Sequence, residues 1–166
     1  LFQDPPTTTA GTAGEQTIVE TDPSQETDPD AEFKLREYEN LDGNYDLITE
    51  TEKAWFLSRF GEEGLDIINK IKYIQLKDGR QAYGYYHKGM VTIAEQAQTG
   101  TMYWEAFRRI YDLHLTPEEK TSIEMEAIEK YGEDADIETK LAEEFMNYKL
   151  TQDETGLGAK IKKFFR

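Results

Sequence analysis

The sequence predicts an α+β fold, in which a small antiparallel meander packs on a helical bundle and follows an extended N-terminal arm. Residues 66–95 favour strands, because they are rich in β-branched and aromatic residues and contain two turn signals. Residues 96–166 favour helices, because helix start and stop signals recur there. Large apolar residues are rare before residue 32. We therefore expect an acidic extended or disordered arm over residues 1–31 and an α+β domain over residues 32–166.

The charge of the 166-residue chain is negative and unevenly distributed. Its formal net charge is -15 at pH 7, and residues 1–52 hold fourteen acidic but only two basic side chains. Such a segment would repel phosphates, so we expect no nucleic-acid partner. A solvated tail is the simplest interpretation of this acidity, while binding of a basic protein or mimicry of a nucleic acid stays open.

Several classes of protein are excluded by what the sequence lacks. Cysteine is absent, which rules out disulfides, cysteine-ligated zinc and thiol catalysis. No apolar run reaches the roughly 18 residues of a transmembrane helix, and no basic start precedes an apolar stretch as in a signal peptide. The first residue is Leu1, so we expect a processed piece or a segment of a longer polypeptide.

The first helix is expected over residues 50–60. Thr49-x-x-Glu52 has the form of a capping box, in which Thr49 accepts from a free helix N–H and Glu52 reaches back. Gly61 is expected to end this helix. The mixed segment before it, residues 32–46, is interpreted as a short helix and a turn.

Three strands are then expected to form the meander, over residues 71–76, 81–86 and 90–93. Asp78-Gly79 is a strong hairpin signal between the first two. Three tyrosines of the middle strand could stack on bases or sugars, but packing against the helices is favoured: Tyr83, Tyr85 and Tyr86.

Three further helices are predicted after the strands, over residues 101–113, 117–130 and 136–150. Thr116-Pro117 followed by two acids is a helix start. Residues 159–166 form a short basic amphipathic end, for which we favour a structural role over contact with a membrane surface or an acidic partner.

The helix over residues 101–113 carries the one candidate site. In a large group of metallopeptidases a helix contains His-Glu-x-x-His, where both imidazoles bind zinc and the glutamate is the general base. Here the same spacing is occupied by Trp104, Glu105 and Arg108. Trp104 cannot ligate zinc, and Arg108 stays protonated and would repel it. Glu143 stands where a third ligand is expected, so we expect an Arg108–Glu143 ion pair in a vestigial site without metal or other cofactor.

The motifs around this helix resemble the zincin-like metallopeptidase domain of large polyvalent proteins in bacteriophages and other mobile elements. The resemblance covers about residues 50–166. It rests on Gly100-Thr101, Glu105-Ala106-Phe107, Leu115-Thr116-Pro117-Glu118-Glu119 and Ala142-Glu143-Glu144-Phe145. The family's two histidines are replaced by Trp104 and Arg108, which puts zinc binding and peptide hydrolysis in doubt.

The resemblance implies a non-catalytic structural or interaction module, in a bacteriophage virion or its ejected cargo, located in the virion or the host cytoplasm. Its partners would be other proteins, such as neighbouring subunits that contact the acidic arm. Two alternatives stay open. An active metal-dependent peptidase would need an unusual site, with His87, His114 and Glu143 as candidate ligands. An acidic inhibitor or DNA mimic would bind a basic partner through its arm.

Overall fold

The computed structural model describes residues 19–21, 34–41, 44–76 and 78–165, which form a mixed α+β domain. Its strands are β1 (Val19–Thr21), β2 (Lys34–Glu37), β3 (Leu65–Ile68), β4 (Ile74–Leu76), β5 (Gln81–His87) and β6 (Met90–Ala94). Its α-helices are α1 (Glu50–Phe60), α2 (Thr101–Leu113), α3 (Pro117–Tyr131), α4 (Ile137–Thr151) and α5 (Leu157–Ile161). The predicted arm, residues 1–31, lies outside the described residues except for β1.

The six described strands form one mixed sheet around β5. β4, β5 and β6 pair antiparallel in succession, which confirms the predicted meander. The sheet extends beyond this meander with parallel pairs that were not predicted, since β1 pairs parallel with β4 and β3 pairs parallel with β6. Parallel neighbours are joined by long connections, so no turn signal in the sequence indicates them.

β2 replaces the short helix that we expected within residues 32–46. It pairs antiparallel with β5, where Leu35 is opposite Tyr85 and Arg36 is opposite Gly84. Leu35 is buried and Glu37 is exposed. The weak helix preference of this charged segment is therefore overridden by pairing with a central strand and by burial of one side chain.

α2 lies against the sheet and is the most buried helix among the described residues. Nine of its thirteen residues are buried, including Thr101 and Phe107. Gly84 in β5 permits this close approach, because an added Cβ would lie 2.6 Å from Ile93 Cδ1 and 3.2 Å from Thr101 Cγ2. α4 packs across α2, and α3 and α5 pack on α4.

The helices predicted over residues 50–60, 101–113, 117–130 and 136–150 agree with α1 to α4 to within about one residue. The predicted packing of the β5 tyrosines against helices is seen for Tyr86, and the predicted structural role of the C-terminal end is confirmed. The tyrosines of β5 are buried on opposite faces: Tyr83 packs against Tyr38 and Tyr45, whereas the Tyr86 hydroxyl donates to Asp112 of α2 at 2.7 Å. The C-terminal end is structural, since the Phe165 ring stacks on Phe145 at 4.2 Å. In the described part of the chain, no helix has the length and apolarity needed to cross a membrane.

Candidate functional site

Trp104 and Arg108 occupy adjacent turns on one face of α2 and contact each other directly. The Arg108 guanidinium lies 4.3 Å from the centre of the Trp104 ring, and both residues are at most 5% exposed. A cation over an indole face is attracted by the ring quadrupole, and the attraction is strongest where water is excluded. The face that carries two zinc ligands in a His-Glu-x-x-His helix therefore carries a stacked cation–indole pair here.

Arg108 is paired with the start of α4, and the expected Arg108–Glu143 ion pair is wrong. Its Nη1 lies 2.9 Å from Glu138 Oε1, and its Nη2 donates to Thr139 Oγ1 at 2.8 Å. Glu143 is instead within 3.2 Å of Lys140 on its own helix. Glu138 and Thr139 belong to the first turn of α4, directly after its N-cap Asp136. This first turn lies over Arg108, so these two residues contact the guanidinium and Glu143, further along the helix, does not.

Glu105 points away from this pair and toward the edge of the sheet. It is fully buried, and its Oε1 accepts from the backbone N–H of Arg36 in β2 at 3.0 Å. Its Oε2 has no hydrogen-bond partner among the described residues. Burial raises the pKa of the Glu105 carboxyl well above its usual value, although nearby Arg108 and the Arg36 N–H act in the opposite direction. This placement makes Glu105 a hydrogen-bond acceptor for a strand rather than a base facing solvent.

A cleft of about 780 Å³ opens between β2 and α4, and we call it the β2–α4 cleft. Trp104 and Arg108 of α2 line it, together with Arg36 of β2 and with Glu138 and Glu143 of α4. The structure therefore brings three of the four predicted site residues, Trp104, Arg108 and Glu143, to one cleft. Glu105 is not among the residues that line it.

The start of α2 is held by a carboxylate from another helix. Glu52 of α1 is fully buried, and its oxygens accept from Gly100 N at 2.9 Å, Met102 N at 3.3 Å and Thr99 Oγ1 at 3.1 Å. A negative charge at a helix N-terminus satisfies free N–H groups and is favoured by the helix dipole. Burial nevertheless raises the pKa of Glu52, against the opposing effect of these donors.

The predicted capping box is therefore half right. Thr49 Oγ1 does accept from the backbone N–H of Glu52 at 3.1 Å. The Glu52 carboxylate, however, mainly caps α2, and the backbone N–H of Thr49 is the weakest of the groups that lower its pKa. Gly100, the N-cap residue of α2, has no side chain that could accept from the free N–H groups of the helix. Glu52, 48 residues earlier in the chain, supplies the acceptor instead.

The two histidines do not join the predicted site residues. His87 is the last residue of β5 and is largely buried, whereas His114 follows α2 and is exposed. Neither lines the β2–α4 cleft. Throughout the described ranges, no three His, Asp or Glu side chains form a group that could hold a metal ion.

Three residues that matter for this site were missed in the sequence: Arg36, Glu138 and Thr139. Arg36 was assigned to a helix, although an alternation of Phe33 and Leu35 with charged residues is a strand signal that could have located it. Glu138 and Thr139 belong to the first turn of a correctly predicted helix, and only the crossing of that helix over α2 brings them to Arg108. Comparison with protein-family models, with curated proteins and with solved structures finds no match.

Proposed function

We propose that this chain is a non-catalytic interaction module with a zincin-like core, whose β2–α4 cleft binds a ligand without transforming it. The observation that carries the proposal is the Trp104–Arg108 pair. Its guanidinium is 4.3 Å from the indole, forms an ion pair with Glu138 and excludes a cation from the same helix face. A general base at Glu105 would also need a bound water to act on, and this carboxyl is fully buried against β2.

The order of elements supports the zincin-like part of the proposal. Helix α1, the strands β3 to β6, the site helix α2 and the later helix α4 follow one another along the chain in the order that the sequence resemblance implies. The lining of one cleft by α2 and α4 fits the expectation that a later helix faces the site helix.

The biological setting is proposed from the sequence resemblance. On that basis the chain is a component of a bacteriophage virion or its ejected cargo, located in the virion or the host cytoplasm. Its partners are neighbouring protein subunits, which we expect to contact the acidic arm over residues 1–31. Within that arm, only β1 lies in the described part of the chain, where it pairs with β4.

The proposal is tested by metal content and peptide hydrolysis. The purified chain, incubated with excess zinc and then dialysed, is expected to retain far less than one zinc per molecule by elemental mass spectrometry. Hydrolysis of a quenched fluorescent peptide library is expected to be equal in the wild type and in Glu105→Gln, since no metal-bound water depends on Glu105. Near-stoichiometric zinc together with hydrolysis that Glu105→Gln abolishes would overturn it, and would make His87, His114 and Glu143 the ligands to examine.

A further inference from the structure

Lys149, near the C-terminal end of α4, lies on an aromatic surface without a carboxylate partner. Its Nζ is 4.7 Å from the centre of the Trp55 ring and 5.2 Å from the centre of the Tyr103 ring. Within the described part of the chain, the charged group that acts on this ammonium is the guanidinium of Arg59, and no carboxylate offsets it. Other lysines of the described ranges form an ion pair with a glutamate: Lys53, Lys130, Lys140, Lys160 and Lys162.

Arg59 of α1 places a second positive charge beside Lys149. Arg59 and Trp55 are four residues apart, so they share one face of α1. The Arg59 Nη1 donates to the backbone carbonyl of Phe165 at 2.7 Å, and the centres of the Phe165 and Trp55 rings are 5.5 Å apart. Neither contact supplies a negative charge. Two like charges therefore lie together on a chain whose formal net charge is -15 at pH 7.

These surroundings favour the neutral amine of Lys149 over its ammonium form. Partial burial lowers the pKa of Lys149 below its usual value, and the charge of Arg59 acts in the same direction. The ring faces of Trp55 and Tyr103 attract the ammonium and offset part of this effect. Lys149 is only half-buried, so a small reagent can reach its Nζ. A lysine that is desolvated on an apolar surface and close to another cation is an activated nucleophile.

We propose that Lys149 is a modification site, at which the neutral amine takes an acyl group from an acyl phosphate, a small anionic acyl donor. The Nζ lone pair attacks the acyl carbonyl carbon, and the amide C–N bond forms as the C–O bond to the phosphate breaks. The phosphate leaves with the electron pair of that bond, and the nitrogen loses a proton to water. This inference is independent of the proposed function, because Lys149 does not line the β2–α4 cleft.

The charges at this site favour an anionic donor and an uncharged product. The Arg59 side chain is exposed, so its guanidinium can contact the phosphate of the donor while the acyl carbon reaches the Lys149 Nζ. After the transfer, the amide nitrogen carries no charge. The repulsion between Arg59 and Lys149 is then lost, which favours the acylated form over the ammonium form.

Acetyl phosphate is the probe, and the rate of acetylation at each lysine of the full folded chain is followed by peptide mass spectrometry. Lys53 is the internal reference, because it is also half-buried but pairs with Glu50 at 2.9 Å. At neutral pH, Lys149 is expected to react roughly fivefold faster than Lys53, since more of its amine is neutral. The rate at Lys149 is also expected to level off at a lower pH than the rate at Lys53.

Two arginine variants test the part that Arg59 takes in the reaction. Arg59→Gln is expected to slow acetylation of Lys149 by roughly threefold relative to Lys53, because the phosphate is attracted less and less of the amine is neutral. Arg80→Gln is the matched control, since it removes an exposed arginine that pairs with Asp78, and it is expected to leave the ratio of the two rates unchanged. With the neutral donor p-nitrophenyl acetate, Arg59→Gln is expected to have a smaller effect.

Equal rates at Lys149 and Lys53 in the wild type would overturn the inference, as would a Lys149 rate that levels off at the same pH as the Lys53 rate or a higher one. Equal effects of Arg59→Gln and Arg80→Gln would overturn the part assigned to Arg59. An effect of Arg59→Gln that is as large with the neutral ester as with acetyl phosphate would overturn the choice of an anionic donor.

Discussion

The Glu105 carboxyl combines complete burial with one hydrogen bond within the described residues, from the N–H of Arg36. Burial raises its pKa above that of the unfolded chain, so the folded state keeps its proton to a higher pH. The protein therefore loses stability as pH rises from the unfolded pKa through the folded one, opposite to the usual carboxylate. Glu105→Gln keeps the acceptor and removes the charge. We expect chemical denaturation to show it more stable than the wild type by roughly 1–3 kcal/mol at alkaline pH, with no gain near the unfolded pKa of about 4.3.

Glu143 supplies the matched control at the residue scale. Its side chain is 39% exposed and pairs with Lys140 on the same helix, so Glu143→Gln is expected to change stability by less than about 1 kcal/mol at any pH. If the free energy of unfolding differed by the same amount between the wild type and Glu105→Gln at acidic and at alkaline pH, the prediction would be wrong, because the pKa of Glu105 would then be the same in the folded and unfolded states.

Spacing along a helix was enough to identify Trp104, Glu105 and Arg108, because residues four apart share a face. That spacing does not indicate where the Glu105 side chain points. Its carboxyl accepts from Arg36 in β2, and these residues were expected to form a helix instead of a strand. The partner of Arg108 depends in the same way on where α4 crosses α2. The position of the site helix could therefore be predicted from local sequence, whereas the contacts of its side chains depend on elements that are distant in the chain.

At the scale of elements, the contact between α5 and α4 depends on Gly158. An added Cβ at Gly158 would lie 2.1 Å from the Glu144 carbonyl oxygen and 2.7 Å from Tyr148 Cβ. Neither neighbour is the end of a flexible side chain, so α5 would have to move away from α4. We expect Gly158→Ala to destabilise the protein by roughly 1–3 kcal/mol in thermal or chemical unfolding.

Gly156 offers the comparison for that substitution. An added Cβ there would meet nothing closer than 3.8 Å, which is an ordinary van der Waals distance. Gly156→Ala is therefore expected to stay within about 1 kcal/mol of the wild type. Equal effects of the two substitutions would show that α5 does not pack on α4 as closely as the structure has it.

The helices were predictable from sequence because their signals are local. The predicted helix start at Thr116-Pro117 begins α3, where Thr116 also forms a capping box with Glu119, and Gly61 ends α1 as expected. The parallel strand β3 had no comparable signal, and β2 had only the short alternation of Phe33 and Leu35 with charged residues. The pairing partners of both strands lie far away in the chain. The side chain of Glu52 shows the same limit, since its motif was local but the N–H groups it accepts from are 48 and 50 residues away.

For the whole molecule, a net charge of -15 at pH 7 favours expansion through self-repulsion. Exposed ion pairs such as Lys160–Glu126 and Lys162–Glu154 offset little of this repulsion, because solvent screens them. Raising NaCl from about 10 to 150 mM shortens the Debye length from about 30 to 8 Å and screens the repulsion. We therefore expect the melting temperature at pH 7 to rise by a few degrees in differential scanning calorimetry. At pH 4.5, the isoelectric point of the sequence, the same salt step should have almost no effect. A melting temperature that falls with salt at pH 7 would instead show that attraction between opposite charges dominates the electrostatics of this fold.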